Sequence, residues 1–211
     1  MSEIFLIVKA AIEAASTTQT VATISWHSRQ AEVEEDFDRV NAKSLNNLIL
    51  AQHLQNFLLW HVEDRARCVD VDDSVIAGCK REVDKLNQKR NDLMEKIDSM
   101  LVTLMAEGLP TKSTGRLNTE TLGMAIDRLS ILALKIYHMK EQVERTDASQ
   151  EHIAVCQSKL AVLTEQRSNL LQSVLDLIDE YAMGKKVPII YHQFKMYNDP
   201  NLNPELYKNK K

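Results

Sequence analysis

The chain has 211 residues, a formal net charge of -4 and a sequence pI near 5.9, which gives no electrostatic reason to expect a nucleic-acid partner. Apolar residues make up 44% and charged residues 27%, as in ordinary soluble globular proteins, and only five glycines and four prolines interrupt the chain. We therefore expect one all-α domain, residues 1–211, in which long helices bury a single core. The basic residues Lys208, Lys210 and Lys211 are expected to form a solvated C-terminal tail.

The cysteines and the N-terminus favour a cytoplasmic location. Cys68, Cys79 and Cys156 form neither a Cys-x-x-Cys pair nor a plausible set of bridges, so a reducing compartment is expected. The apolar run Ile4–Val8 has no basic region before it and is followed by Lys9, which argues against a signal peptide. No other stretch approaches the roughly 20 apolar residues that cross a bilayer, so we expect a protein that does not span a membrane.

The first forty residues predict a helix over Ile4–Ala15 and one helix or two short ones over Gln19–Val40, which we expect to cap one side of the fold. Hairpin one follows at residues 41–108. Its first helix is indicated by apolar spacings of three and four from Ala42 to Cys68. Its second helix is capped by Asp73 or Ser74 and spans roughly 50 Å.

Hairpin two is predicted over residues 118–184, after Gly108, Pro110 and a polar connector. Its first helix starts at Asn118 or Thr119, and the chain turns near residues 146–149. Its second helix runs from Gln150 to about Ala182 and ends near Gly184. Residues 185–211 lack helical periodicity and are expected to wrap irregularly over the outside.

The two hairpins align on each other without a gap, which predicts an internal duplication packed as an antiparallel four-helix core. Cys79 aligns with Cys156, and Leu86 aligns with Leu163. Chance similarity of two amphipathic hairpins is the alternative. Duplication is favoured because the pairs His61/His138 and Arg90/Arg167 are polar identities that an apolar stripe does not require.

The densest set of polar residues lies on hairpin one and predicts a polar strip along its groove. His61 and Asp64 share a helix face, as do Glu95 and Asp98, because residues three apart are neighbours on a helix. His138 is expected to be a partly buried, hydrogen-bonded histidine rather than a catalyst. The wider set of candidates comprises Trp60, Glu63, Asp84, Asn87, Gln88, Arg90, Asp127, Arg128 and His138.

One hypothesis for this strip is a divalent-metal site with His61, Asp64, Glu95 and Asp98 as inward ligands, broadly as in carboxylate bundles. Their order does not match the ferritin-type Glu-x-x-His pair. All-α nucleotide pyrophosphatases pair two acidic motifs, and only the second is present here, as Glu95-x-x-Asp98. The alternative is that these residues form ordinary solvated faces and ion pairs. We expect no cofactor, with a divalent metal as the less favoured alternative, and no nucleophile or P-loop motif is present.

Five stretches carry a resemblance to a known family: Trp60–Arg65, Lys80–Asp84, Asn87–Asp92, Asn118–Thr121 and Ile126–His138. They resemble a bacterial all-helical family classified as a domain of unknown function (4254), over about residues 40–182. Members tend to be encoded beside glycosyltransferases, so the resemblance implies a role near the assembly of lipopolysaccharide or a related cell-envelope glycan. It implies no established reaction and no catalytic residues.

Our leading hypothesis is a non-catalytic helical protein that binds a protein partner, or itself as a homodimer, and supports envelope glycan synthesis from the cytoplasmic side. The alternative is a metal-dependent hydrolase or transferase acting on a phosphorylated or nucleotide-sugar substrate, with His61 as acid or base. A binding scaffold should turn Glu95 and Asp98 toward water. An enzyme should converge them with His61 and Asp64 on a pocket.

Overall fold

The computed structural model describes residues 2–29 and 44–208, and these residues form helices and no β-strand. The all-α class is therefore confirmed. The helices are α1 Glu3–Ser28, α2 Leu45–Ala66, α3 Asp73–Met105, α4 Leu122–Val143, α5 Gln150–Ala182 and α6 Pro204–Tyr207, with short 3-10 turns at Ala106–Gly108 and Met196–Asn198. The second predicted N-terminal helix, Gln19–Val40, and the start of hairpin one lie partly outside the described residues.

Short polar side chains start three of the long helices. The hydroxyl of Ser44 accepts a hydrogen bond from the N–H of Asn47 at 3.2 Å, and Ser149 caps α5 in the same way. Thr121 caps α4, so this helix starts about three residues later than the sequence predicted. The predicted cap residue Asn118 instead donates its side-chain amide to the carbonyl of Glu120 at 3.0 Å.

The packing makes α1 an inner element of the fold. α2 and α3 form one antiparallel hairpin, α4 and α5 form the other, and α1 contacts all four of these helices. We expected the N-terminal helices to cap one side, but α1 is one continuous helix of 26 residues and contributes to the centre of the core. Fully buried side chains at this centre are Phe5, Val8 and Ile12 of α1, Ile49 of α2, Ile97 and Leu101 of α3, Ile126 and Leu129 of α4, and Ile178 of α5.

The bounds of the two hairpins repeat with a constant shift. α2 and α4 each have 22 residues, α3 and α5 each have 33, and every start and end lies 77 residues after its counterpart, as Leu45 and Leu122 do. This agreement favours the duplication inferred from the sequence, which stays a prediction.

The two hairpins are tied at one end by the connector after α3. Gly184 ends α5 with φ 68°, and a Cβ there would lie 2.7 Å from the carbonyl oxygen of Lys112. The N–H of Thr114 donates to the carbonyl of Gly184 at 2.9 Å, and the N–H of Val187 donates to Arg116 at 2.9 Å. The tail that follows is irregular as predicted, except for the single helical turn of α6.

By length and composition alone, α1 could cross a membrane, and it is the one helix of the described chain that could. This is weak evidence, because a buried core helix passes the same test, and Phe5, Val8 and Ile12 lie in the protein core. The opposite face of α1 nevertheless carries exposed apolar side chains. Leu6 and Ile7 near its start and Val21 and Ile24 near its end are each 55–60% exposed, and the exposed Glu13 and Thr17 lie between the two pairs.

Candidate functional site

Asp127 is the centre of a buried polar network that joins α2, α3 and α4. Its Oδ1 accepts hydrogen bonds from Asn56 Nδ2 at 2.9 Å, from Arg90 Nε at 2.8 Å and from the side-chain amide of Gln52. Its Oδ2 accepts from Arg90 Nη2 at 2.5 Å. The Asp127 side chain is only 5% exposed. Because a buried carboxylate is costly unless it is paired and hydrogen-bonded, these four bonds explain how α4 carries a charge inside the fold.

The network continues to α1 through Ser130 and His53. Ser130 Oγ accepts from Asn56 at 2.8 Å and lies 2.7 Å from His53 Nδ1, while His53 Nε2 lies 3.0 Å from Thr23 Oγ1. Burial lowers the pKa of His53 to about 3, so the imidazole is neutral at pH 7. The hydroxyl of Thr23 donates to the carbonyl of Gln19 at 2.8 Å, so we assign the histidine proton to Nε2 and let Ser130 donate to Nδ1.

A cleft of about 540 Å³ opens beside this network, between α2, α3 and α4. Asn56 and Arg90 belong to both the network and the cleft, so the network fixes part of the cleft wall. Arg90 Nη1 also donates to Asn87 Oδ1 at 3.3 Å. The remaining lining residues are Leu59, Trp60, Glu63, Asp64 and Arg67 of α2, and Ile131 and Leu134 of α4.

The cleft therefore combines an apolar wall with a polar rim. Glu63 and Arg67 at the rim form an ion pair at 2.9 Å between largely exposed side chains. Five candidates from the sequence, Trp60, Glu63, Asp64, Asn87 and Arg90, are brought together here. The polar strip that the sequence predicted on hairpin one thus exists, although it is shorter than expected and is completed by α4.

His61 and His138 belong to an aromatic cluster outside the cleft. The ring of His61 packs edge-on against Phe57 at 4.6 Å and against His27 at 5.1 Å between centroids. His138 stacks on Trp60 at 4.4 Å, and its Nδ1 lies 2.7 Å from a carboxylate oxygen of Glu141. His138 is therefore the partly buried, hydrogen-bonded histidine that we expected.

Burial lowers the pKa of His27 and of His61 within this cluster. The Nε2 atoms of His27, His61 and His138 are buried and have no hydrogen-bond partner among the described residues. Because protonation of His27 and His61 would place two charges on rings 5.1 Å apart, these two imidazoles favour the neutral form.

The four residues of the metal hypothesis do not share one pocket. Asp98 is buried and accepts the N–H of Gly123, at the N-terminus of α4, at 2.6 Å, and burial raises its pKa to about 6. Glu95 instead bonds to the tail, accepting the N–H of Gln193 at 2.8 Å. Within the described part of the chain, no group of three or more His, Cys, Asp or Glu could hold a metal ion.

The physical reason is the register of hairpin one. Arg65 and Glu82 form an ion pair at 2.8 Å, which places Asp64 opposite the early part of α3. Glu95 follows Glu82 by 13 residues, or about 20 Å along the helix axis. Glu95 and Asp98 therefore neither both face water, as expected for a scaffold, nor converge with His61 and Asp64 on a pocket, as expected for an enzyme. Asp98 points inward and caps α4, whereas Glu95 binds the tail.

The other candidates lie on helix faces with local partners, as the alternative of ordinary solvated faces predicted. Asp84 pairs with Lys80, and Gln88 donates to Asp92 at 2.8 Å. Arg128 pairs with Glu120 at 2.6 Å. All three contacts are exposed, and exposed ion pairs contribute little to stability.

The sequence interpretation missed Gln52, His53, Asn56 and Ser130. Gln52 and Asn56 are one helical turn apart and all four side chains are buried, so they interrupt an otherwise apolar face. Two amides at i and i+4 within such a face were the available signal, since buried polar groups need partners. Their shared partner, Asp127, is 71 residues away from Asn56 and no local pattern connects them.

Comparison with curated proteins and with solved structures found no match. The sequence model of one protein family, described as "Protein of unknown function (DUF4254)", matches residues 46–190. This range covers nearly all of α2 and the whole of α3, α4 and α5, including Asp127 and every lining residue of the cleft. Because the match covers well over half of the chain, this protein belongs to the DUF4254 family.

Proposed function

We propose that this protein is a non-catalytic binding protein and that the cleft between α2, α3 and α4 takes a sugar phosphate or a nucleotide sugar. One observation carries the proposal. Asp127 holds Arg90 and Asn56 in fixed positions beside the ring of Trp60, so polar groups and an aromatic ring are arranged before any ligand binds.

The residue types of the cleft suit such a ligand. A Trp ring offers an apolar face to the C–H groups of a sugar, while Asn56, Asn87 and Asp64 can bond its hydroxyl groups. Arg67 is 69% exposed and bonds both the carboxylate and the backbone carbonyl of Glu63, so its guanidinium lies at the rim, where a phosphate can reach it. The Arg90 charge is balanced by Asp127, so Arg67 is the cation that the cleft offers to a phosphate.

Two features support binding rather than chemistry. His61, the acid-base candidate from the sequence, lies outside the cleft. Asp127 already accepts four hydrogen bonds, so its carboxylate is engaged in holding the cleft wall. A role beside envelope glycan assembly is part of the proposal and is supported by the family resemblance. A cytoplasmic location is supported by three free cysteines.

Binding of a protein partner or of a second copy is a second candidate function. It is favoured by the exposed apolar face of α1, where Leu6, Ile7, Val21 and Ile24 are each more than half exposed. Apolar surface of this kind on a helix commonly marks an interaction site. The two functions are compatible, since the face and the cleft involve different residues.

The first experiment is a thermal-unfolding screen with sugar phosphates and nucleotide sugars, each with and without Mg²⁺, Mn²⁺ or Zn²⁺. A ligand that binds only the native state raises the melting temperature, by RT ln(1 + [L]/Kd) in free energy. Wild type is compared with Asp64→Asn, in the cleft rim, and with Asp70→Asn, an exposed matched control outside the cleft.

The proposal requires a shift in wild type and in Asp70→Asn that is reduced in Asp64→Asn. No shift with any compound would overturn it. Phosphate release from a bound compound that depends on a divalent metal would replace it with the hydrolase or transferase alternative. In that case Asp64 would bind the metal together with oxygen atoms of the substrate.

A further inference from the structure

A second concavity, of about 710 Å³, adjoins the cleft on the other side of Trp60. It is a groove between α4 and α5. Its apolar surface comes from Met139, Val162 and Leu163, and its charged side chains are Lys135 and Lys159. Among the described residues that line it there is no carboxylate, so its electrostatic potential favours an anion.

The cleft and the groove are neighbours along α4. Ile131 lines the cleft, while Lys135 and Met139 line the groove at successive turns of about 6 Å. A third concavity, of about 570 Å³, is lined by both Ile131 and Lys135 and so borders the cleft and the groove. The three concavities therefore share lining residues over about 12 Å of α4, from Ile131 to Met139.

The chemistry changes along this path in a fixed order. At the cleft, amide, carboxylate and guanidinium groups surround Trp60. At the next turn, the exposed ammonium of Lys135 lines the groove together with Lys159 and the polar side chain of Gln166. Beyond it, Met139, Val162 and Leu163 offer hydrocarbon. A polar part, one negative charge and an apolar chain would meet their complements in that order.

We infer that the cleft and the groove form one elongated site for an anionic amphiphile, with a sugar in the cleft, a chain-bearing phosphate at Lys135 instead of Arg67, and a hydrocarbon chain between α4 and α5. The inference rests on the proposed function, because it extends the ligand of the same cleft. The lining of the groove decides for an anionic chain as its occupant. Met139, Val162 and Leu163 give it an apolar surface, and Lys135 and Lys159 give it positive charge.

The test measures affinity against chain length by calorimetry, with butyl, hexyl and octyl phosphate below their aggregation concentrations and with glucose 1-phosphate as a ligand without a chain. A fully buried methylene strengthens binding roughly fourfold. Because the groove is open on one side, we expect about half of that free energy, or roughly a twofold gain per methylene.

Val162→Glu should abolish this gain and leave the affinity for glucose 1-phosphate unchanged. Val155→Glu is the matched control, because Val155 lies on α5 two turns earlier, is similarly exposed at 48% against 51%, and does not line the groove. A second variant, Lys135→Met, keeps the apolar stem without the charge. It should weaken octyl phosphate severalfold and leave neutral octyl glucoside unaffected.

Equal affinity for butyl and octyl phosphate would overturn the inference, and glucose 1-phosphate binding would then leave the proposed function standing. Absence of binding by every compound would overturn both. Equal losses in Val155→Glu and Val162→Glu would also reject the groove as the chain site. A dimer in sedimentation that Val162→Glu dissociates and Val155→Glu preserves would assign the groove to a second copy instead.

Discussion

Arg90 of α3 and Asp127 of α4 form a two-pronged ion pair, with Nε to Oδ1 at 2.8 Å and Nη2 to Oδ2 at 2.5 Å, although the two residues belong to different hairpins. Fork-to-fork geometry of this kind is directional as well as strong. The pair therefore helps to fix how the hairpins dock, and the same contact shapes the wall of the cleft.

Breaking this pair should destabilise the protein. Removing one member of a buried pair costs about 3 to 5 kcal/mol, and since Arg90 is 23% exposed we expect about 2 to 4 kcal/mol for Asp127→Asn in urea unfolding. The double variant Arg90→Met/Asp127→Leu should lose less than the sum of the single losses, because no charge is left unpaired. Arg128→Met, which breaks an exposed pair with Glu120, should stay within about 0.5 kcal/mol. A similar small loss in Asp127→Asn would contradict this account.

Two glycines on long helices should respond oppositely to alanine. A Cβ at Gly123 would lie 2.6 Å from the carbonyl oxygen of Met94 and 2.9 Å from Asp98 Cγ, where α3 and α4 approach closely. Gly123→Ala should therefore cost about 1 to 3 kcal/mol. Gly78 has nothing within 4 Å of its Cβ position and lies inside α3, so Gly78→Ala should stabilise by up to about 1 kcal/mol. The melting temperatures of both variants, compared with wild type, test this prediction. A lower melting temperature for both variants would reject the steric explanation.

Acid should weaken the contribution of His53 to the stability of the fold. Its pKa falls from 6.5 in the unfolded chain to about 3 in the fold, so the unfolded chain binds the proton first. The stability is fully present above pH 6.5 and is lost as the pH falls toward 3, by about 1.4 kcal/mol per pH unit. When the pH is lowered from 7.5 to 4.5, His53→Gln should lose less free energy of unfolding than wild type, as measured by urea unfolding. The exposed His152→Gln variant should lose as much as wild type.

Asp98 should act in the opposite direction. Its pKa rises from 3.8 in the unfolded chain to about 6 in the fold, so its contribution is favourable below pH 3.8 and is lost as the pH rises through 6. Between pH 4 and 6 the effects of Asp98 and His53 largely offset each other in wild type. Asp98→Asn keeps an oxygen for the N–H of Gly123 and removes the charge, so it should steepen the acid loss over this range. An unchanged pH profile in Asp98→Asn would show that the carboxylate is not protonated there.

The apolar face of α1 predicts self-association or partner binding. We expect wild type to show a concentration-dependent rise in sedimentation coefficient, and Val21→Lys/Ile24→Lys to abolish it, because two charges on the face oppose its burial. Val69→Lys is the control, since Val69 is 90% exposed in the turn between α2 and α3. A monomeric wild type at all concentrations would remove self-association as the use of this face.

The predictability of the site was uneven, and hairpin one shows why. Trp60, Asn87 and Arg90 were identified from polar density on two adjacent helices, and all three line the cleft. Glu95 was grouped with Asp64 because of helix-face periodicity. Periodicity shows which residues share a side of one helix, but it does not show how two helices are aligned along their axes. The pairing of Arg65 with Glu82 sets this alignment and separates the two carboxylates.

The sequence by itself determined the helical class, the two hairpins and the ends of their second helices, because these depend on local periodicity, caps and breakers such as Gly108 and Gly184. Only the tertiary structure decided that α1 is part of the core and that Asp127 gathers Gln52, Asn56 and Arg90. A buried polar residue has the same sequence pattern as a solvated one. The difference is made by partners more than 30 residues away, which are brought within 3 Å only when the hairpins dock.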